Sequence, residues 1–168
     1  MNEARRATAA DAAELVRLRG VLMTQLAGHR SADGGWKATA EVMLRERLAE
    51  PDPTLVAFVV DRPDLVGRAG LLAACAVGTV ECRLPGPGNP SGEVGYVFNV
   101  VTDPAHRRRG YSRRCMAALL DWYRDRGIRT IDLRASSEGE PLYRSLGFAL
   151  SRDPAMRLHL RPPEQSPS

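Results

Sequence analysis

Apolar residues recur along this chain at helical spacing in some stretches and at strand spacing in others, and the switches between the two lay out its elements. Ala4 to Ala7 predicts a short strand. Leu15, Leu18, Leu22 and Leu26 follow at three- and four-residue steps, which predicts an amphipathic helix capped at Thr8 and ended by Gly28. His29 to Gly35 reads as a loop. Trp36, Ala40, Met43, Leu44 and Leu48 return to helical spacing, and Pro51-Asp52-Pro53 stops that helix after Glu50. Strand patterns come next. Leu55 to Val60 is a continuous apolar run, Pro63 and Asp64 mark a turn, and Gly70 to Cys82 is a longer strand. Leu84 to Gly92 holds too much proline and glycine for regular structure and reads as a surface loop. Glu93 to Thr102 is a further strand, with Tyr96, Phe98 and Val100 alternating against Val97, Asn99 and Val101.

Asp103-Pro104 ends that strand. Met116, Leu119, Leu120 and Tyr123 then form a helix face closed by Gly127. Ile128 to Leu133 predicts a strand, Pro141 to Leu146 a short helix ended by Gly147, and the alternation of Met156, Leu158 and Leu160 a last strand. The order is strand, two helices, three strands, helix, strand, helix, strand. It implies an α/β layered fold with a mixed sheet. We expect one domain over residues 1–161 and a polar, disordered tail over 162–168.

Composition narrows the function classes. The 168 residues, 43% hydrophobic, suit one globular domain. No run approaches the roughly 20 apolar residues of a membrane helix, and Met1 to Arg6 has no signal-peptide character, so a cytoplasmic location is expected. Cys75, Cys82 and Cys115 show no metal spacing and read as buried reduced thiols. His29, His106 and His159 are scattered, so no metal site is expected. The net charge of +4 is carried almost wholly by arginine, since Lys37 is the sole lysine, and five arginines crowd into residues 107–114.

That cluster is more than a basic patch. Arg107-Arg108-Arg109-Gly110-Tyr111-Ser112 lies between a strand and a helix, where a glycine admits close approach and the first helical turn offers free N–H groups. Arg113 and Arg114 fall in that first turn, where each cation costs about 0.3–1 kcal/mol against the helix dipole. Cations at the wrong end imply an anion that supplies the missing charge. Neither a P-loop nor a Rossmann glycine motif is present.

The loop resembles the acyl-CoA motif of the GNAT superfamily, Gln/Arg-x-x-Gly-x-Gly/Ala between strand and helix, with Arg107, Gly110 and Ser112 at the defining positions. Ser112 stands where Gly or Ala is usual and is still small. Val101 to Pro104 is similar to the family's strand end, and Leu142-Tyr143-Arg144-Ser145-Leu146-Gly147-Phe148 to its LYxxxGF signature. The likeness runs from about Glu93 to Phe148 and points to small bacterial members. It implies a GNAT-like acyl-CoA N-acyltransferase fold, a central mixed sheet of about six to seven strands flanked by about four helices. It further implies an acetyl-CoA-dependent N-acetyltransferase acting on a primary amine of a small molecule or peptide by direct attack in a ternary complex. Backbone groups of Val100, Val101 and Thr102 would pair with the pantetheine arm. Arg107, Arg108, Arg109, Gly110, Tyr111, Ser112 and Arg113 would hold the pyrophosphate. Ser136 stands where the family often has an asparagine contacting the pantetheine.

Amine acylation by a thioester needs a neutral amine, donors to the oxyanion and a proton for the leaving thiolate. The resemblance makes Tyr143 the general acid and the Val101 main-chain N–H the oxyanion donor. Glu93 and Tyr96 are the candidate bases, with water as an alternative. No metal, nucleic acid or membrane partner is expected, and a homodimer is allowed. Two other classes stay open: an acyl-CoA-binding sensor without catalysis, and an arginine-rich nucleic-acid module, for which aromatic content is low at 5%.

Overall fold

A computed structural model describes residues 3–27, 35–63 and 71–160. The expected helix end at Gly28, most of the His29 to Gly35 loop, the turn at Asp64, the strand start at Gly70 and the tail from Pro162 lie outside them. The chain forms two compact units, Met1–Arg134 and Ala135–Ser168.

In the first unit β1 (Arg5–Arg6) leads through a 3-10 turn into α1 (Ala12–Ala27), followed by α2 (Trp36–Leu48). Then come β2 (Leu55–Asp61), β3 (Leu72–Cys82), β4 (Glu93–Thr102), α3 (Tyr111–Asp125) and β5 (Ile131–Leu133). The expected cap at Thr8 is present. Its N–H donates to the Asp11 carboxylate at 2.8 Å, and Arg5 clasps the same carboxylate at 2.8 and 2.9 Å. The strands form one five-stranded sheet in the order β1-β2-β3-β4-β5. All pairs are antiparallel except β4 with β5, so the sheet is mixed as expected.

β2 as far as Val60 and the first part of β3, residues 72–77, are unbroken apolar runs because helices cover both faces of the sheet there. Cys75 and Val77 belong to the core that Leu15, Leu18 and Leu44 of α1 and α2 complete. Gly78, on the opposite face, lies against Leu119 and Tyr123 of α3. The fully buried Tyr123 ring also lies close over Gly95 of β4, and its hydroxyl donates to the Thr79 carbonyl at 2.9 Å, with the Tyr96 carbonyl at 3.2 Å. One side chain therefore ties α3 to both central strands.

The second unit holds α4 (Glu140–Ser145). Its end explains the Leu142 to Phe148 pattern physically. Gly147 takes φ +95°, its N–H donates to the Arg144 carbonyl, and the Phe148 N–H donates to the Tyr143 carbonyl. This paired closure needs glycine at the left-handed position and favours an apolar contact across it. The Tyr143 and Phe148 rings supply that contact edge-on, 6.0 Å apart.

Four expectations change. The strand at Met156 to Leu160 is not formed, and these side chains stand 93, 80 and 83% exposed. Alternation marks which side chains would share a face but supplies no hydrogen-bonded neighbour, and a strand needs one. The described residues consequently give five strands rather than six to seven. β5 starts at Ile131 rather than Ile128, because the Gly127 and Ile128 N–H groups close the end of α3 on the Arg124 and Tyr123 carbonyls. Cys75 and Cys115 are buried free thiols, but Cys82, at the outer end of β3, is exposed.

Candidate acyl-CoA site

β4 shifts register against β3 in its second half. Val77 pairs with Phe98 and Cys75 with Val101, so one residue of β3 faces two of β4, Asn99 and Val100. This bulge leaves main-chain groups without ladder partners and bends the strand. Asn99 takes it up with φ +53°, a region asparagine tolerates better than most residues. The residue is buried, with its Oδ1 3.4 Å from an Arg19 guanidinium nitrogen and its Nδ2 3.7 Å from Cys75 Sγ. Burial pushes the Cys75 thiol up to about 12, against the opposing pull of the Asn99 side chain and the Val101 main chain. That thiol stays protonated and donates to the Asn99 carbonyl at 3.4 Å.

The arginine loop follows a 3-10 turn, Pro104–His106, and turns sharply. Arg108 and Gly110 take φ +64° and +76°, and Gly110 caps α3 without a side chain to occupy the helix end. The first-turn N–H groups of a helix have no intrahelical partner. No acidic side chain lies in that turn and no side chain caps it. A Cβ on Gly110 would meet nothing within 4 Å, so its backbone angle, not crowding, is what requires glycine. Open N–H groups, a positive dipole end and surrounding arginines fit a pyrophosphate. The Thr102 and Ser112 hydroxyls lie 2.6 Å apart and join the end of β4 to the first turn of α3.

Asp103 fixes the approach to this loop. Its carboxylate accepts from Arg17 at 2.7 Å, Arg62 at 3.0 Å and the Ala105 N–H at 3.0 Å. Burial opposes its charge, yet these bonds hold its pKa below the ordinary aspartate value. On the α1 side of the sheet, next to the bulge, lies a cavity of about 600 Å³. Leu15 and Arg19 of α1, Trp36 and Met43 of α2, and Phe98 and Asn99 of β4 are among the residues that line it.

The sequence matches the Acetyltransferase (GNAT) family over residues 29–148. The chain belongs to the GNAT family. Solved structures agree on the fold. A predicted acetyltransferase with acetyl-CoA from Clostridium acetobutylicum is 23% identical, with a TM-score of 0.78 over 95% of this chain and 96% of that one. A GCN5-related N-acetyltransferase from Ralstonia eutropha JMP134 is 24% identical, with a TM-score of 0.72 over 93% and 97%. Glucosamine-6-phosphate N-acetyltransferase from Arabidopsis thaliana is 17% identical, with a TM-score of 0.70 over 93% and 97%. No curated protein matches the chain.

Within this GNAT domain, Val100, Val101 and Thr102 lie at and beyond the bulge, and the Thr102–Ser112 contact brings them to the Arg107 to Arg113 segment. Glu93 and Tyr96 separate. Glu93 pairs with Cys82 at the far end of β4, about 20 Å from Asn99 by strand rise, and its carboxylate lies 3.7 Å from Arg126. Tyr96 shares a face with Phe98, their rings stacked 6.5 Å apart. In the second unit Ser136 and Tyr143 flank Gly139. The Ser136 hydroxyl accepts from the Gly139 N–H at 3.2 Å, and burial raises the Tyr143 phenol above its ordinary value. Trp36 is half-buried, and no residue of the Leu84 to Gly92 loop is among the described residues that line the cavity. Asn99 and Arg19 belong to no sequence motif, and Asp103 entered only as part of the strand end at Val101 to Pro104. The only signal was a polar Asn99 inside an apolar strand. No helix among the described residues is long and apolar enough to cross a membrane.

Proposed function

We propose that this GNAT protein is an N-acetyltransferase of the cytoplasm that transfers the acetyl group of acetyl-CoA to a primary amine of a small molecule, by direct attack within a ternary complex. The observation that carries the reading is the juncture of the bulged β4 with the open N-terminus of α3, joined through Thr102 and Ser112. Main-chain groups of Val100 to Thr102 pair with the pantetheine arm. The Arg107 to Arg113 segment holds the pyrophosphate through N–H groups, with the arginines as added counter-charge. The Val101 N–H serves as oxyanion donor. Tyr143 protonates the departing thiolate, a role supported by its motif and by a phenol that stays protonated at neutral pH. Tyr96, on the Phe98 face, or water takes the amine proton. Ser136 completes the pantetheine contacts. Family membership over residues 29–148 spans both units and supports one domain over 1–161.

The test combines thermal shift with acetyl-CoA, CoA and an oligonucleotide, and a thiol-release assay over a panel of amines. Stabilisation by the coenzyme species with amine-dependent thiol release is expected. Coenzyme binding without release for any amine would make the protein a sensor, and stabilisation by the oligonucleotide alone would remove the reading.

A further inference from the structure

Resting on that reading, we propose that the acceptor is a free amino acid with a large apolar side chain, whose carboxylate pairs with Arg19. The cavity beside the bulge, at about 600 Å³, is of small-molecule size, and Leu15, Trp36, Met43 and Phe98 give it an apolar, partly aromatic lining. No carboxylate is among the described residues that line it. A polycationic amine would bring several ammonium groups against a guanidinium with nothing to balance them.

Arg19 differs from the other arginines of this region. Arg5 is matched by Asp11 and Asp61, Arg17 by Glu14 and Asp103, and Arg62 by Asp103. Among the described residues Arg19 instead meets the neutral amide oxygen of Asn99, at 3.4 Å, and no carboxylate there cancels its charge. The buried Asn99 is itself fixed by the bulge and by its contact with Cys75, and the Arg19 it meets lines the cavity next to the bulged strand. A planar, permanently charged fork at the rim of an apolar cavity suits a carboxylate. An amino acid bound this way carries its amine close to its carboxylate, and hence near the bulge. The apolar surroundings disfavour the ammonium form there and ease loss of the proton that attack requires.

Two measurements decide the matter. In calorimetry with CoA present, N-acetyl-L-phenylalanine should bind at least about 10-fold more tightly than N-acetyl-L-phenylalaninamide, the factor that one charge-assisted hydrogen bond supplies. Arg19→Gln should abolish that difference and Arg19→Lys should restore part of it. Equal binding of acid and amide, or a preference that survives Arg19→Gln, overturns the proposal whether or not the protein is catalytic. In the thiol-release assay, L-phenylalanine, L-leucine and L-methionine should outpace their amides and spermidine. Turnover of spermidine but not of the amino acids sinks the acceptor assignment and leaves the acetyltransferase reading intact. Absence of any acetyl-CoA-induced stabilisation would instead strike the acetyltransferase reading, while the acid–amide comparison still judges Arg19.

Discussion

Substituting Gly78 by alanine tests how α3 is seated on the sheet. A Cβ there would enter the van der Waals shell of the Tyr123 hydroxyl and lie 2.9 and 3.1 Å from the two methyl carbons of Leu119. Overpacking of this kind costs about 1–3 kcal/mol, set against about 0.5–1 kcal/mol from the better strand propensity of alanine. Displacing the Tyr123 hydroxyl adds the loss of its bonds to the Thr79 and Tyr96 carbonyls. Tyr123→Phe alone leaves those carbonyls short of a donor and should cost about 1–3 kcal/mol. Gly78→Ala should therefore cost about 2–4 kcal/mol in the parent and about 1 kcal/mol or more less in the Tyr123→Phe background, where the nearest obstacle is gone. The assay is chemical denaturation of all four proteins at pH 7, read as midpoints with a common m-value. If the two losses add to within about 0.5 kcal/mol, the hydroxyl is not what Gly78 makes room for, and the account of this seat is wrong.

Three further outcomes are expected. Tyr143→Phe should lower turnover about 10²–10⁴-fold with little change in acetyl-CoA affinity, checked by stopped assays and calorimetry; unchanged turnover removes its acid role. Gly110→Ala should weaken acetyl-CoA binding and lower stability by about 1–2 kcal/mol through backbone strain alone, whereas Arg108→Gly, at φ +64°, should raise the melting temperature. Asp103 and Asp11 have folded pKa values below their unfolded ones, so their contribution is complete above about pH 4 and is lost as pH falls through the folded values. Asp103→Asn should thus flatten the acid limb of a stability–pH curve measured between pH 6 and 2.

Much of the fold was legible because it depended on local pattern. β4 begins at Glu93 and ends at Thr102 as the alternation predicts, and Gly127 and Gly147 sit where two helices close. The motif residues were legible too, since Gly110 and Gly147 are required by backbone angles that a sequence announces through glycine. What stayed hidden was relational. The alternation at Met156 to Leu160 carries no information about a pairing partner. The bulge arises from a mismatch between two strands and not within either, so β4 reads as an ordinary strand until β3 is laid beside it. Arg19 carries no signal of its own in the sequence, because its meaning comes from Asn99, eighty positions away.

One extra residue separates β4 from an ordinary strand. Deleting Asn99 would let Val100 face Ala76 in its place, and the ladder would run unbroken. Val101 and Thr102 would then keep Cys75 and Ala74 as partners across β3, and what would go is the buried Asn99 with its contacts to Arg19 and Cys75. The chain would still fold into a sheet, with the edge of β4 beyond Val97 unpaired by β5 as before, but without the bend that the bulge puts into the strand. Deletion at this one position would therefore measure how far the proposed coenzyme contact depends on the bulge.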